Sequence, residues 1–194
     1  MEALFHLVFE LVKIAILASV YAYLVILLFQ FIGKKGNSGN WFESVSKKKL
    51  KLWFSTGLVI SFLLFLFMFS YWGNHGFGDH YKIPIGNGYI VERINSNDYG
   101  FIGNIKTVNS ESVDVEKFKV KNGKLIGKLD NNFYDYENSY FIFDLETKKM
   151  QEFKNKSLYN NFAISSSLPI ASELLSFRAN YDKRWGGWRF FLLP

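Results

Sequence analysis

The side chains best suited to recognition chemistry lie close together at Arg184, Trp185, Trp188 and Arg189, around Gly186-Gly187. Trp and Arg are the residues most enriched at binding hot spots, and a guanidinium over an indole adds cation–π attraction. These four are the candidate partner-binding residues. The competing reading, which we favour, has both indoles completing the core of a small domain while the glycines make a turn. A third reading has the aromatic segment graze a membrane. A second group, His75, Asp79 and His80, carries metal-ligand chemistry, with two imidazoles beside a carboxylate. It matches no motif of defined ligand geometry, and the surrounding glycines mark a linker rather than a rigid frame. No metal or cofactor is expected. The stretch Asn131 to Asn138 mixes aromatic and hydrogen-bonding groups, which suits a ligand-facing loop and an ordinary hairpin connection equally well.

Catalytic constellations are missing from the sequence. Among three histidines no Ser/His/Asp order is visible, and no P-loop or GxGxxG stands at a strand-to-helix junction. Paired carboxylates occur on strands that read as solvated faces. With no cysteine in 194 residues, disulfides, zinc–thiolate sites and thiol nucleophiles are excluded. The expectation is a chain that is not an enzyme.

These groups follow a long apolar half. Trp53 to Trp72, WFSTGLVISFLLFLFMFSYW, carries no charge. At about 20 residues it can cross a hydrocarbon core as a helix. Trp53, Tyr71 and Trp72 stand where aromatic belts belong. Leu11 to Ile32 is a second such run, uncharged from Ile14 onward. A cleaved signal peptide is disfavoured there, because the start MEALFHLVFELVK lacks a basic region and the apolar run is too long. Glu10 and Lys13, at helical spacing i, i+3, sit at the outer boundary, where they can pair or snorkel. Small residues recur one turn apart: Ala15 with Ser19, Ala18 with Ala22, Gly57 with Ser61. Such faces let helices approach closely in lipid. The short link Gly33 to Leu50 predicts an antiparallel two-helix transmembrane hairpin, and the small-residue faces offer a surface for homo-oligomers.

The formal charge is +6, yet from Gly76 onward sixteen Lys and Arg face fourteen Asp and Glu. The excess falls in Lys34, Lys35, Lys47, Lys48, Lys49 and Lys51, around the link between the runs. Lysine-rich short loops stay cytoplasmic. This predicts a two-pass protein of the cytoplasmic (inner) membrane with both termini and the following domain outside. It also argues against a nucleic-acid partner, since topology accounts for the basic cluster.

Beyond the linker 73–80 the pattern turns to strands. Asn87-Gly88 and Asn122-Gly123 sit between apolar flanks, the composition of two-residue hairpin turns. Strands are predicted around these turns and at Gly100 to Lys106, Val113 to Val120, Lys124 to Leu129, Ser139 to Leu145 and Lys148 to Phe153. A helix is predicted from Pro169, with Ile170, Leu174 and Phe177 on one face. Phe190 to Leu193 reads as a last strand or extended arm.

Ile83-Pro84-Ile85-Gly86-Asn87-Gly88-Tyr89, with Tyr140 to Asp144 ahead of Lys148-Lys149-Met150, resembles small exported β domains of bacteria. That resemblance implies a β-rich domain of the cell envelope and transfers no functional residue. The abundance of Lys, Asn, Phe, Tyr and Ile also fits an AT-rich bacterial genome.

The sequence therefore predicts a membrane protein of α+β class. A two-helix transmembrane hairpin over 1–72 (spans 11–32 and 53–72, Lys-rich loop 33–52) precedes a small antiparallel β-rich domain over 81–194 with one or two helices following the sheet. Expected partners are the lipid bilayer and an envelope protein or toxin. The expected role is a non-enzymatic binding or protective, immunity-like module. The alternative is a sensor-effector whose cytosolic β domain binds a small ligand and drives membrane-helix oligomerisation.

Overall fold

The computed structural model describes residues 2–35, 48–73, 80–94, 99–103, 105, 112–130 and 137–194. The chain divides into two compact units, Met1–Gly73 with Trp188–Pro194, and Asn74–Gly187. The first is helical, and the second holds an antiparallel sheet with helices.

Helices α1 (Glu2–Lys35) and α2 (Lys49–Phe69) dominate the first unit. Both are long and apolar enough to cross a membrane. α1 buries Ile14, Leu17, Ala18, Ala22 and Ile26, a stripe at i, i+3 and i+4 spacing. The small residues of this stripe meet those of α2, where a Cβ added at Gly57 would lie 3.8 Å from the Ala22 Cβ. The Trp53 indole N–H donates to the Ser19 carbonyl at 3.3 Å. Elsewhere both helices present Leu, Val and Phe outward.

In the second unit the strands run as a meander. β1 (Tyr81–Gly86), β2 (Tyr89–Arg93), β3 (Gly100–Gly103), β4 (Ser112–Lys121), β5 (Lys124–Leu129), β6 (Tyr140–Asp144) and β7 (Met150–Phe153) each pair antiparallel with the next. The strands expected from the sequence are present: β5 has the expected bounds, β4 runs one residue further at each end, β6 and β7 are shorter, and residues 104 and 106 of the expected Gly100 to Lys106 strand lie outside the described residues. Both Asn-Gly pairs form the turns expected of them: Asn87 and Gly88 have φ of 49° and 80°, and Asn122 and Gly123 of 53° and 69°. In the β6–β7 turn, the Asp144 carboxylate accepts the backbone N–H groups of Glu146 and Thr147 at 3.1 and 2.8 Å. The Lys124 ammonium pairs with the same carboxylate. Together these contacts hold Asp144 well below the usual carboxylate range, the lysine bond contributing most.

Alternation along the strands feeds two cores, one on each face of the sheet. Val91, Ile102, Val115, Leu125, Phe141 and Phe177 belong to the first. The sheet curls across this core, so that Tyr89 on β2 meets Phe143 on β6 with ring centroids 5.3 Å apart. Gly127 of β5 lies opposite Phe141, whose ring occupies the space a side chain would need.

The second core gathers Ile126, Ile142, Phe153 and Tyr159 beneath α3 (Lys156–Ser165). The Asn155 side chain caps α3 by accepting from Leu158 N–H at 3.0 Å. Tyr159 stacks on Tyr140 at 5.0 Å and donates its hydroxyl to the Pro169 carbonyl. Burial pushes that phenol up to about 12.

Two expectations about the final third are corrected. The helix predicted from Pro169 starts instead at Phe177, as α4 (Phe177–Trp185), with Ser176 capping Ala179 N–H. The Pro169 carbonyl is taken by Tyr159, and Ala171–Glu173 makes only a 3₁₀ turn. Leu175–Ser176 then runs extended as β8, pairing with Lys117 and Phe118 of β4 beyond the end of β3. Phe190 to Leu193 is neither strand nor arm. Trp188–Leu192 forms helix α5, with Leu193 N–H bonded to Arg189 C=O at 2.9 Å, and it belongs to the first unit.

Candidate functional site

The four residues singled out by type do not form one group, because the boundary between the units passes through them. Trp185 closes α4 inside the second unit, 6% exposed, and its indole N–H donates to the Lys82 carbonyl of β1 at 2.8 Å. β1 is an edge strand, and this bond occupies one of its outward carbonyls. The Arg184 guanidinium lies over the same indole at 5.4 Å. Gly186 ends the helix and Gly187 turns the chain with φ of 64°. Trp188, 62% exposed, and Arg189, at 5.1 Å from its ring, belong to the first unit.

Of the suggested metal ligands, His75 and Asp79 lie outside the described residues. His80 faces Glu92 of β2 at 3.0 Å, across the first strand pair. Within the stretch 131–138, only Glu137 and Asn138 are described, and the Asn138 amide donates to the Glu152 carboxylate at 2.8 Å.

A different group has the most unusual electrostatics. Asp114 of β4 and Asp130, just past β5, are 6% and 7% exposed, and their backbones are joined by Asp130 N–H to Asp114 C=O at 2.9 Å. This corrects the reading of the paired carboxylates as wholly solvated. A bulge explains the arrangement. Val115 pairs with Leu129 but Lys117 pairs with Lys128, which leaves Glu116 as the extra residue. Glu116 then bonds the Lys128 ammonium. Three carboxylates and one lysine thus converge where β4 and β5 meet.

The charges are unequal in consequence. Burial, and then the neighbouring Asp130 charge, pushes the Asp114 carboxyl up. Its hydrogen bond to Glu116 pushes the Lys128 ammonium up. The group therefore sets a lysine ammonium bonded to Glu116 close to a carboxyl that burial makes harder to ionise. Among the described residues no group of three or more His, Asp or Glu side chains is arranged to hold a metal ion. The strand alternation Val113-Asp114-Val115-Glu116 signalled only which face Asp114 takes, not that this face would be covered there. No protein-family model, curated protein or solved structure matches the chain.

Proposed function

We propose that this chain is a membrane-anchored, non-enzymatic binding or protective module, with its β-rich unit held on the outer face of the cytoplasmic membrane. The observation that carries the anchor is the outward apolar surface of α1 and α2. Only 28% of the best apolar window within Leu4–Ile32, and 6% of that within Lys49–Phe69, is buried. The core helix of a water-soluble protein would bury most of such a window, whereas a lipid-facing helix needs no protein cover. The lysines flanking the link between the helices support a cytoplasmic link and an outward β-rich unit. Confinement to a thin layer would raise the effective concentration of that unit against membrane-proximal partners. An immunity-type role against an incoming toxin is one concrete version.

The absence of native cysteine makes the test clean. Ser44→Cys in the link and, separately, Lys149→Cys on the exposed β6–β7 turn are labelled in intact cells with an impermeant maleimide. Labelling at 149 alone supports the proposal. Labelling at 44 alone overturns the orientation and turns the reading toward a cytosolic sensor-effector, which should then damage membranes when its ligand is supplied.

A further inference from the structure

We propose that α5 is a second lipid-contact element, seated in the membrane–water interface beside α1, with Trp188 and Arg189 at headgroup level and Phe190, Phe191 and Leu192 against acyl chains. It rests on the reading of α1 and α2 as membrane helices. Three observations carry it.

The first is where α5 lies. The Lys13 ammonium sits 4.8 Å from the centroid of the Phe190 ring, and the Tyr21 hydroxyl donates to the Leu192 carbonyl at 2.5 Å. The segment therefore follows α1 from its last boundary charge into its uncharged stretch, which begins at Ile14.

The second is its surface. Phe190 is 52% and Phe191 71% exposed. On α1 itself Val12, Ile16 and Val20 are likewise exposed. Arg189 lies at the Lys13 end of the segment, so both cations fall where lipid phosphates would be. Trp and Arg beside an apolar run are the usual occupants of that layer. The contrast with Trp185 is sharp: three residues earlier an indole is buried in the second unit, and after the Gly187 turn the next one is open.

The third is the backbone. A helix of five residues leaves its last carbonyls without intrahelical partners. In water solvent would satisfy them, whereas in lipid each needs a partner from the protein. Two of these carbonyls have such a partner: Tyr21 bonds that of Leu192, and Leu193 N–H bonds that of Arg189.

The test uses the full chain in phosphatidylcholine–phosphatidylglycerol vesicles. Single-cysteine variants Leu58→Cys, Lys121→Cys, Trp188→Cys and Phe191→Cys each carry an environment-sensitive fluorophore, with quenchers placed on lipids at two depths. The expected result is that 58 and 191 lose most of their emission to the deep quencher, 188 to the shallow one, and 121 to neither. If 58 is quenched while 188 and 191 are not, the assignment of α5 fails and the membrane reading of α2 stands. If 58 itself escapes quenching, the membrane reading fails, and this inference with it. If 191 is shielded from lipid and forms a disulfide between chains, a second copy covers α5, which also overturns the proposal. Using both 188 and 191 keeps the test decisive should one variant misfold.

Discussion

At the scale of single residues, the Asp114–Asp130 pair governs how the second unit should respond to pH. Burial and the Asp130 charge raise Asp114 above the ordinary carboxylate value, so the folded state holds that proton more tightly than the unfolded chain does. Between the ordinary and the raised value the folded state binds more protons, and stability falls as pH rises through that interval. Asp114→Asn removes the ionisation while keeping hydrogen-bonding capacity. The variant should melt higher than the parent at pH 7, with the gain shrinking towards pH 4, followed by near-ultraviolet circular dichroism. An equal gain at both pH values would mean that shape rather than charge sets the cost. The neighbouring Lys128–Glu116 pair is half-exposed, so its contribution is screened and its loss should matter less.

At the scale of elements, the sheet depends on close approach across β5 and β6. A Cβ at Gly127 would come within 2.5 Å of Phe141 Cε1 and 3.0 Å of Val115 Cγ1. Phe141 is fully buried. Gly127→Ala should therefore cost about 1–3 kcal/mol through overpacking, measured by urea denaturation. A neutral result would show that the ring can tilt aside. The helix contact behaves differently, since 3.8 Å from the Ala22 Cβ is ordinary packing distance. Gly57→Ala should leave helix association intact, while Gly57→Leu should force the helices apart and lower the melting temperature in detergent.

At the scale of the whole molecule, connectivity matters most. The chain leaves the first unit after Gly73 and returns to it at Trp188, so the second unit is tied to the first at both of its ends. A protease site placed within residues 74–79 of the full chain offers a direct check. After a single cut in vesicles, the second unit should stay with the lipid through Gly187 and α5, and only a further cut beside Gly187 should release it. Release after the first cut would show that α5 holds α1 and the bilayer too weakly to serve as an attachment.

The elements readable from local chemistry are those whose signals lie within a few residues. Asn-Gly pairs set their own positive φ, alternation set the faces of β4, and two long uncharged runs set α1 and α2. Everything that depended on distant neighbours required the tertiary structure. Pro169 begins no helix and its carbonyl is instead bonded by Tyr159 of α3, while Phe190 to Leu192 is helical with Lys13 and Tyr21 of α1 beside it. Asp114 and Asp130 meet through the Asp130 N–H to Asp114 C=O bond, and the bulge at Glu116 sets a third carboxylate on the same strand pair, a pairing local sequence does not signal. Residue type alone put Arg184, Trp185, Trp188 and Arg189 in one group. Packing divided them at Gly187, because an indole is satisfied equally by a protein core with a carbonyl to bond and by an interface with a polar edge.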